Sequence, residues 1–381
     1  MLKRFSFLII SVVCFRGLSF GDVSLQPLIS SSDDTTRIQA VINQVTAAGG
    51  GRISLAEGTY SLTQALVIAK AKNIELIGDG SVTIKQLTKG TSAIIIKDSS
   101  DITVKGLKFE GPHGANGDHK LVSHGTGILV GGGEGASHIL FSDLEVKGFN
   151  YSCIGISGVF RPDGGSARNE FITIQNSQLR DCASGIFVYK NSHHLIIKNN
   201  TVEDTWLNGI GVDTRSESDP KETLSNSDIK ITNNTIRRSG LFSGDPEPRT
   251  PAIGIVIKGK NSDVTVADNT IEDIGGLSTS KFSTSYGIVL INDASGEGGD
   301  SIQIIHNTIN RVRIVGREAN TTNYPADAYG IFASPKMKNV DIQQNKISDV
   351  ANSIKVPNGS DIRVGSNDIS RSPRPSPPIS R

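Results

Sequence analysis

The sequence lacks the charge excess that a polyanion-binding protein displays: 39 basic residues against 38 acidic ones leave a formal net charge of +1. Export would lower it, because residues 1–21 contain Lys3, Arg4 and Arg16 and no acid, which leaves about −2 for the remainder. Residues 370–381, SRSPRPSPPISR, hold three more arginines and four prolines, so the body between these ends stands near −5. A body of that sign has no general affinity for nucleic acid, and any anionic ligand must be held by a local basic cluster. Long apolar runs are also missing. The stretch from Phe5 to Phe15 is far shorter than the ~20 residues that span a bilayer, and nothing later is longer, so no transmembrane segment is expected. With Lys3 and Arg4 before it and Ser19 to Gly21 after it, that stretch has the layout of a secretory signal cleaved near Gly21. Helical periodicity is nearly absent. Only Asp34 to Ala47 repeats at 3.6-residue spacing, which excludes a helical solenoid.

What the sequence does contain is one template repeated. HLIIKNNTVED from His194, DIKITNNTIRR from Asp228, DVTVADNTIED from Asp263, SIQIIHNTINR from Ser301 and NVDIQQNKISD from Asn339 each give two short alternating strands broken at an Asn. The positions Asn176, Asn200, Asn234, Asn269, Asn307, Asn345 and Asn367 are expected to stack as a turn ladder. Asn tolerates the left-handed backbone of a sharp turn, and its amide can bond the Asn of the next coil. A third strand follows in every coil, as Gly185-Ile186-Phe187-Val188, Gly209-Ile210-Gly211-Val212 and Gly254-Ile255-Val256-Ile257, with the first and third apolar residues inward.

Three short strands per coil predict an all-β, single-stranded right-handed parallel β-helix. The segment Asp34 to Ala47 would cap its first coil, with Asp33 or Asp34 at the helix N-terminus, Ile38, Val41, Ile42 and Val45 as the apolar stripe, and Gly49 to Gly51 as the stop. The expected organisation is a signal peptide at 1–21, an N-terminal segment with the capping helix at 22–50, the β-helix at 51–369 and a disordered Pro/Ser/Arg tail at 370–381. Cys153 and Cys182 fall on adjacent coils. Counted along straight strands they are offset by about three residues, roughly 10 Å, which predicts two buried thiols.

The segment DDTTRIQAVINQVTAAGGGRISLAEGTYSLTQALVI resembles the N-terminal module of the pectate-lyase-like (pectin lyase fold) superfamily, and the coils resemble its right-handed β-helix repeat, over roughly residues 32–368. The resemblance implies the fold and leaves the activity open, because that superfamily holds lyases, hydrolases, carbon-5 epimerases, phage tailspikes and adhesins. Residue roles do not carry over. Alginate-type epimerases carry Gly-Ile/Phe-Asp-Pro-His-Asp/Glu where this chain reads GIFVYKNS from Gly185 and GIGVDTRS from Gly209. The Arg-Pro signature of pectate lyases and the Asp-Asp and Gly-His-Gly motifs of polygalacturonases are missing as well.

Bare coils, such as Phe171 to Ser192 and Asn339 to Ser360, have 22 residues, whereas those between them have 35 to 38. The excess lies in loops on both sides of the third strand, 240–250, 275–285 and 314–328 before it and 159–170, 213–227 and 292–299 after it. Loops flanking one exposed sheet make a walled groove suited to a long polymer.

On the groove floor, outward residues of successive third strands stack into a column expected to read Ser157, Tyr189, Asp213, Lys258, Asn292 and Ser334, with Lys190 and Arg215 close by. This cluster fits proton removal beside the carboxylate of a uronic-acid polymer. Arg215 would bind the carboxylate, Lys258 would be the base with its pKa lowered by burial or by Arg215, and Tyr189 the proton donor. Asp213 would orient Lys258 or Arg215, or hold a calcium ion with Asp293. The bland reading is a cross-coil salt bridge between Asp213 and Lys258. In a glycoside hydrolase, Asp213 and Asp293 would be the paired carboxylates, and in a non-catalytic glycan-binding protein the loops would serve recognition.

Trp206, Tyr286 and Tyr329, with Tyr151, lie just before third strands, as sugar-stacking platforms or as turn packing. Lys190 and Asn292 complete the expected substrate-binding set. His113, His119 and His124 share a glycine-rich loop with Asp118 at spacings that fit no compact zinc motif. Of His193 and His194, one should pack and the other be exposed.

Overall fold

The computed structural model describes residues 22–27, 33–112, 125–158, 167–214, 224–240, 251–275, 284–293, 296–313 and 328–370. The chain winds as a right-handed parallel β-helix. One strand of each coil enters a ten-stranded sheet: β1 (Leu66–Ala69), β2 (Ile94–Lys97), β3 (Ile128–Gly131), β4 (Ser152–Ser157), β5 (Ser184–Tyr189), β6 (Asn208–Asp213), β7 (Ala252–Lys258), β8 (Ser285–Ile291), β9 (Ala328–Ala333) and β10 (Asn352–Lys355). Each pairs in parallel with the strand one coil on. The other 21 strands of the described residues form the second, kinked surface of the coil.

As the alternation requires, Ile186 and Val188, Ile210 and Val212, Ile255 and Ile257, and Ile288 and Leu290 point inward and are fully buried. Each contributes roughly 1.5–3 kcal/mol by leaving water. The glycine of the repeat is a packing requirement. A β-carbon at Gly209 would sit 2.7 Å from the carbonyl oxygen of Gly254 on the next rung.

The Asn ladder is present and continuous from Asn200 to Asn367. Asn200 Nδ2 donates to Asn234 Oδ1 at 3.0 Å, Asn234 to Asn269 at 3.0 Å, Asn269 to Asn307 at 2.9 Å, Asn307 to Asn345 at 3.0 Å and Asn345 to Asn367 at 3.0 Å. Two details differ from the sequence expectation. Ser177, not Asn176, occupies the preceding rung, its backbone N–H donating to Asn200 Oδ1 at 3.0 Å. From Ser177 to Asn345 the left-handed residue is the one before the ladder position: Asn176, Asn199, Asn233, Asp268, His306 and Gln344. The turn needs an αL residue followed by a buried amide, and in the repeat Asn-Asn the two roles fall on adjacent asparagines.

A second buried ladder marks the corner where the chain leaves the ten-stranded sheet. Asn169 Oδ1 accepts from the Ala136 N–H, Asn226 Oδ1 accepts from the Ser192 N–H, and Asn226 Nδ2 donates to Asn261 Oδ1. The repeated Asn-Ser-Asp at 226–228 and 261–263 was its signal in the sequence.

The helix α1 (Thr35–Ala47) lies over the first coil with Ile38, Ile42 and Val45 buried and Val41 partly so. Asp33 rather than Asp34 serves its first turn, its Oδ1 accepting from the Thr35 N–H at 2.9 Å. The Thr35 hydroxyl bonded to the same carboxylate holds its pKa at about 2. Gln39 closes the free edge of the sheet, since its amide accepts from the Val67 N–H at 2.7 Å and donates to the Val67 carbonyl at 2.9 Å. At the other end Val364 and Ile369, in the final described strands, are 43% and 48% exposed.

Cys153 and Cys182 form a disulfide, with Cα atoms 5.7 Å apart. The expectation of two thiols fails because the offset was measured along a straight strand. The chain turns a corner at Asp181, where φ is +52°, and this folds Cys182 inward against the start of β4.

Candidate functional site

The outer face of β4 to β9 carries three columns of side chains. The column at the strand ends runs Ser157, Tyr189, Asp213, Lys258 and Ile291 in register. Asn292, expected on this column, lies one residue beyond it. There its N–H donates to Ser334 Oγ at 2.9 Å and its Oδ1 accepts from the same hydroxyl at 2.9 Å. The error is one residue in a period-2 pattern, enough to move a side chain off the row.

Asp213 and Lys258 face each other on adjacent rungs, Oδ2 to Nζ 3.6 Å, with side chains only 11% and 20% exposed. Tyr189 is the next rung back, half-buried. Lys190 turns out of line just after β5. Its N–H donates to the Asp213 carbonyl at 2.9 Å, its ammonium lies 5.0 Å from the Tyr189 ring centre, and the residue is 6% exposed. Thr214 locks the following turn: its N–H donates to the Lys258 carbonyl at 3.0 Å and its hydroxyl accepts from the Lys260 N–H at 2.7 Å. The strand ends that carry Asp213 and Lys258 are thereby fixed to each other. Arg215 lies outside the described residues, as do His113, Asp118, His119 and His124.

Asp293 stands two coils from Asp213, about 10 Å of sheet, and its Oδ1 accepts from the Glu297 N–H at 2.8 Å within its own turn. The structure brings Asp213 to Lys258. Among the described residues no group of three or more His, Cys, Asp or Glu is placed to hold a metal ion.

Trp206 is 4% exposed and fills a turn, its N–H donating to the Cys182 carbonyl at 3.0 Å. Tyr286 and Tyr329 stack on successive rungs with ring centres 5.6 Å apart, and Phe332 packs against both. Sequence reasoning missed Phe187, Phe332 and Lys355, which occupy the middle position of the repeat Gly-Ile-x-Val on the outward column. Reading that position down the coils, Phe187, Gly211, Val256, Val289, Phe332, Lys355, would have found them.

Of the two adjacent histidines, His193 packs and His194 is half-exposed. His193 is hydrogen bonded through Nδ1 to Ser227 Oγ at 2.7 Å and through Nε2 to Asn191 Oδ1 at 3.1 Å. Burial, reinforced by Arg168, lowers its pKa. His194 stacks on Phe171 at 4.5 Å and pairs with Asp228 at 2.8 Å.

No curated protein matches the chain in sequence. Its structural likenesses are at low identity. ORF18 of Geobacillus virus E2 has a TM-score of 0.60 at 15% identity, over 91% of this chain and 60% of that one. An alginate lyase from Paenibacillus sp. has a TM-score of 0.58 at 13% identity, over 91% and 99%. The A-module of a mannuronan C-5 epimerase from Azotobacter vinelandii has 0.52 at 19%, over 89% and 91%. These share the fold. No helix among the described residues is long and apolar enough to cross a membrane. The family model for the right handed beta helix region matches residues 92–309, more than half of the chain, so the protein belongs to the right-handed β-helix family.

Proposed function

We propose that the protein is an exported enzyme acting on a uronate-containing polysaccharide, as a lyase or a carbon-5 epimerase. The observation that carries this reading is the placement of Tyr189, Asp213 and Lys258 on three successive rungs of one outward column, with Asp213 in contact with Lys258 at 3.6 Å. Both reactions begin alike. A base removes the proton from the carbon beside the carboxylate, and the electron pair moves onto the carboxylate, which a cation must neutralise. Lys258 is the base, oriented by Asp213, and Arg215, two residues beyond Asp213, is the carboxylate's cation. Tyr189, on the far side of Asp213, is the proton donor. The reactions then divide: in a lyase the carbon-4 to oxygen bond breaks and the leaving oxygen takes the proton of Tyr189, and in an epimerase Tyr189 gives its proton to the opposite face of the same carbon while Lys258 keeps the one it removed. Support for the substrate class comes from the fold neighbours named as alginate lyase and mannuronan epimerase. Support for export comes from residues 1–21 and from the Cys153–Cys182 disulfide, which forms in oxidising compartments.

The test is incubation with alginate, polygalacturonate and glycosaminoglycans, following ultraviolet absorbance of unsaturated uronate, reducing ends and the proton spectrum of the sugar. Unsaturation or epimerisation on one polymer, lost in Lys258→Ala, is the expected result. Reducing ends without unsaturation would replace the reading with a hydrolase. Binding without any product would make the protein a recognition module.

A further inference from the structure

His193 takes no part in the chemistry proposed for Asp213 and Lys258, yet it stands in the middle of a chain of three side chains. Asn191 Nδ2 donates to the Ala167 carbonyl at 2.9 Å, and a carbonyl can only accept, so the amide oxygen is the atom turned to His193. That oxygen lies 3.1 Å from Nε2 and accepts its proton, which leaves Nδ1 of the neutral ring with a lone pair. Nδ1 lies 2.7 Å from Ser227 Oγ, so the hydroxyl donates to the imidazole. Burial keeps the ring neutral, being the main cause of the lowered pKa of His193. A hydroxyl bonded to a base that a third group orients is the arrangement of an activated nucleophile.

Three further observations set this rung apart from ordinary coil packing. Glu170, His193 and Ser227 are in register on successive rungs, so a carboxylate stands behind the imidazole, where it favours the imidazolium that forms when Ser227 gives up its proton. The buried corner ladder reads Asn169, Ser192, Asn226 and Asn261, and the rung without a ladder asparagine is the one whose neighbouring Asn191 is turned onto His193. The backbone there is strained: Lys190 and Asn191 follow one another at φ +26° and +52°, where the coil two further on places Gly259 after Lys258. A repeat that departs from its own pattern at such a cost marks a functional position. The row reaches the surface, since Ser227 is half-buried, Phe171 is 46% exposed, and the Arg168 side chain, paired with Glu170 at 2.6 Å, is 56% exposed.

We propose that Ser227, with His193 as its base and Asn191 holding the tautomer, is a second reactive centre, which takes the acyl group of a small neutral ester. Oγ bonds the acyl carbon while its proton passes to Nδ1; the carbon–oxygen bond of the ester then breaks, and the departing alcohol takes the proton from Nδ1. Water repeats the sequence. It adds to the acyl carbon and gives a proton to Nδ1, and Oγ leaves with that proton, which releases the carboxylic acid. Arg168, whose charge already acts on His193, is the cation of this corner for the acyl oxygen as it becomes negative. The neighbours fix the class of ester. Glu170 on the rung behind His193 and Asp228 beside Ser227 disfavour an anion, and the Phe171 ring, stacked on His194 at 4.5 Å, offers an apolar rest for the substrate. This chemistry is independent of Lys258 and of the reaction proposed there.

The experiment is labelling of the full protein with a fluorophosphonate, which transfers its phosphonyl group to an activated serine with loss of fluoride, followed by peptide mapping. Beside it, the protein is incubated with 4-nitrophenyl acetate, and acetyl transfer to Ser227 or to water is measured. The label is expected on Ser227. It should be absent from Ser227→Ala, at least about a hundredfold slower in His193→Gln, and unchanged in Ser262→Ala, whose serine stands on the next rung of the same row. Lys258→Ala should label like the wild type. The labelling rate of the wild type should fall as acid protonates His193, with a midpoint below about 6.5 because burial disfavours the imidazolium, and this profile decides the matter if His193→Gln does not fold. No label, a label on another serine alone, a rate independent of His193 or flat between about pH 5 and 8, loss of the label in folded Lys258→Ala, or labelling without acetyl transfer would each overturn the proposal.

Discussion

The two outer surfaces of this β-helix are laid on the same rungs and follow different rules. On the kinked surface, charges alternate in sign and are matched from coil to coil: Glu203 with Arg237 and Arg238, Asp204 with Arg238, and Glu272 and Asp273 with Arg311. Each arginine bonds the carboxylates of the coil before it, which raises the pKa of Arg238 and Arg311 and lowers that of Asp273. On the ten-stranded sheet the rungs do not repeat. Tyr189, Asp213, Lys258 and Ile291 succeed one another with one ion pair among them, beside a column that runs from phenylalanine through glycine and valine to phenylalanine. Stacking alone explains the first surface, because like neighbours on a parallel sheet repel and opposite ones attract. It does not explain the second, where rungs of unlike chemistry are suited to a ligand that differs along its length.

The comparison can be broken or sharpened by experiment. The largest effect is expected beneath the kinked surface. Asn234→Leu removes the acceptor of the Asn200 N–H and the donor to the Ile197 carbonyl and Asn269 Oδ1, all buried, at a cost of about 4 kcal/mol. Unchanged chemical denaturation would end the ladder argument. Removing the Cys153–Cys182 disulfide as a double alanine variant should cost roughly 3 kcal/mol through the freed unfolded chain. Because the disulfide joins β4 to the corner before β5, amide exchange in those two strands should speed up more than elsewhere in the variant. Uniform exchange would show that the disulfide acts through the unfolded chain alone.

A smaller effect is confined to acid. The depressed pKa of buried His193 means that the unfolded chain takes up its proton first. Its contribution to stability is complete above about 6.5 and is lost as pH falls through the folded value. Denaturation midpoints of His193→Gln measured from neutral to mildly acid pH should show a flatter acid limb than the wild type. The smallest effect is expected from Arg238→Ala. Despite its bonds to Glu203 and Asp204, the pair is partly exposed and should give at most about 1 kcal/mol, shrinking in salt. A loss several times larger would mean that the charge ladder works as one unit.

Much of the fold was legible in the sequence, because each coil writes its own geometry. Ile186 and Val188 point inward by alternation, the asparagines from Asn200 to Asn367 recur at every kink, and α1 covers the first coil with the apolar stripe that its spacing announced. The site was legible only in outline. Tyr189, Asp213 and Lys258 were placed on one column correctly, since their strands share the repeat and counting from its glycine suffices. Asn292 and Ser177 show where counting stops working, at turns in which one residue more or less changes the row. The disulfide is the sharpest case, because the distance between Cys153 and Cys182 is set by a corner at Asp181 and not by the number of residues between them.

The sequence by itself determined the β-helix, its inward residues, its kink ladder and the residue types available to the groove. Those follow from periodicity, which is a property of neighbours along the chain. Tertiary structure alone decided that Trp206 is buried in a turn, that Asn292 lies beyond the strand-end column and that Cys182 meets Cys153. Contacts between coils depend on register across corners, and a corner adds a rotation that no count of residues contains.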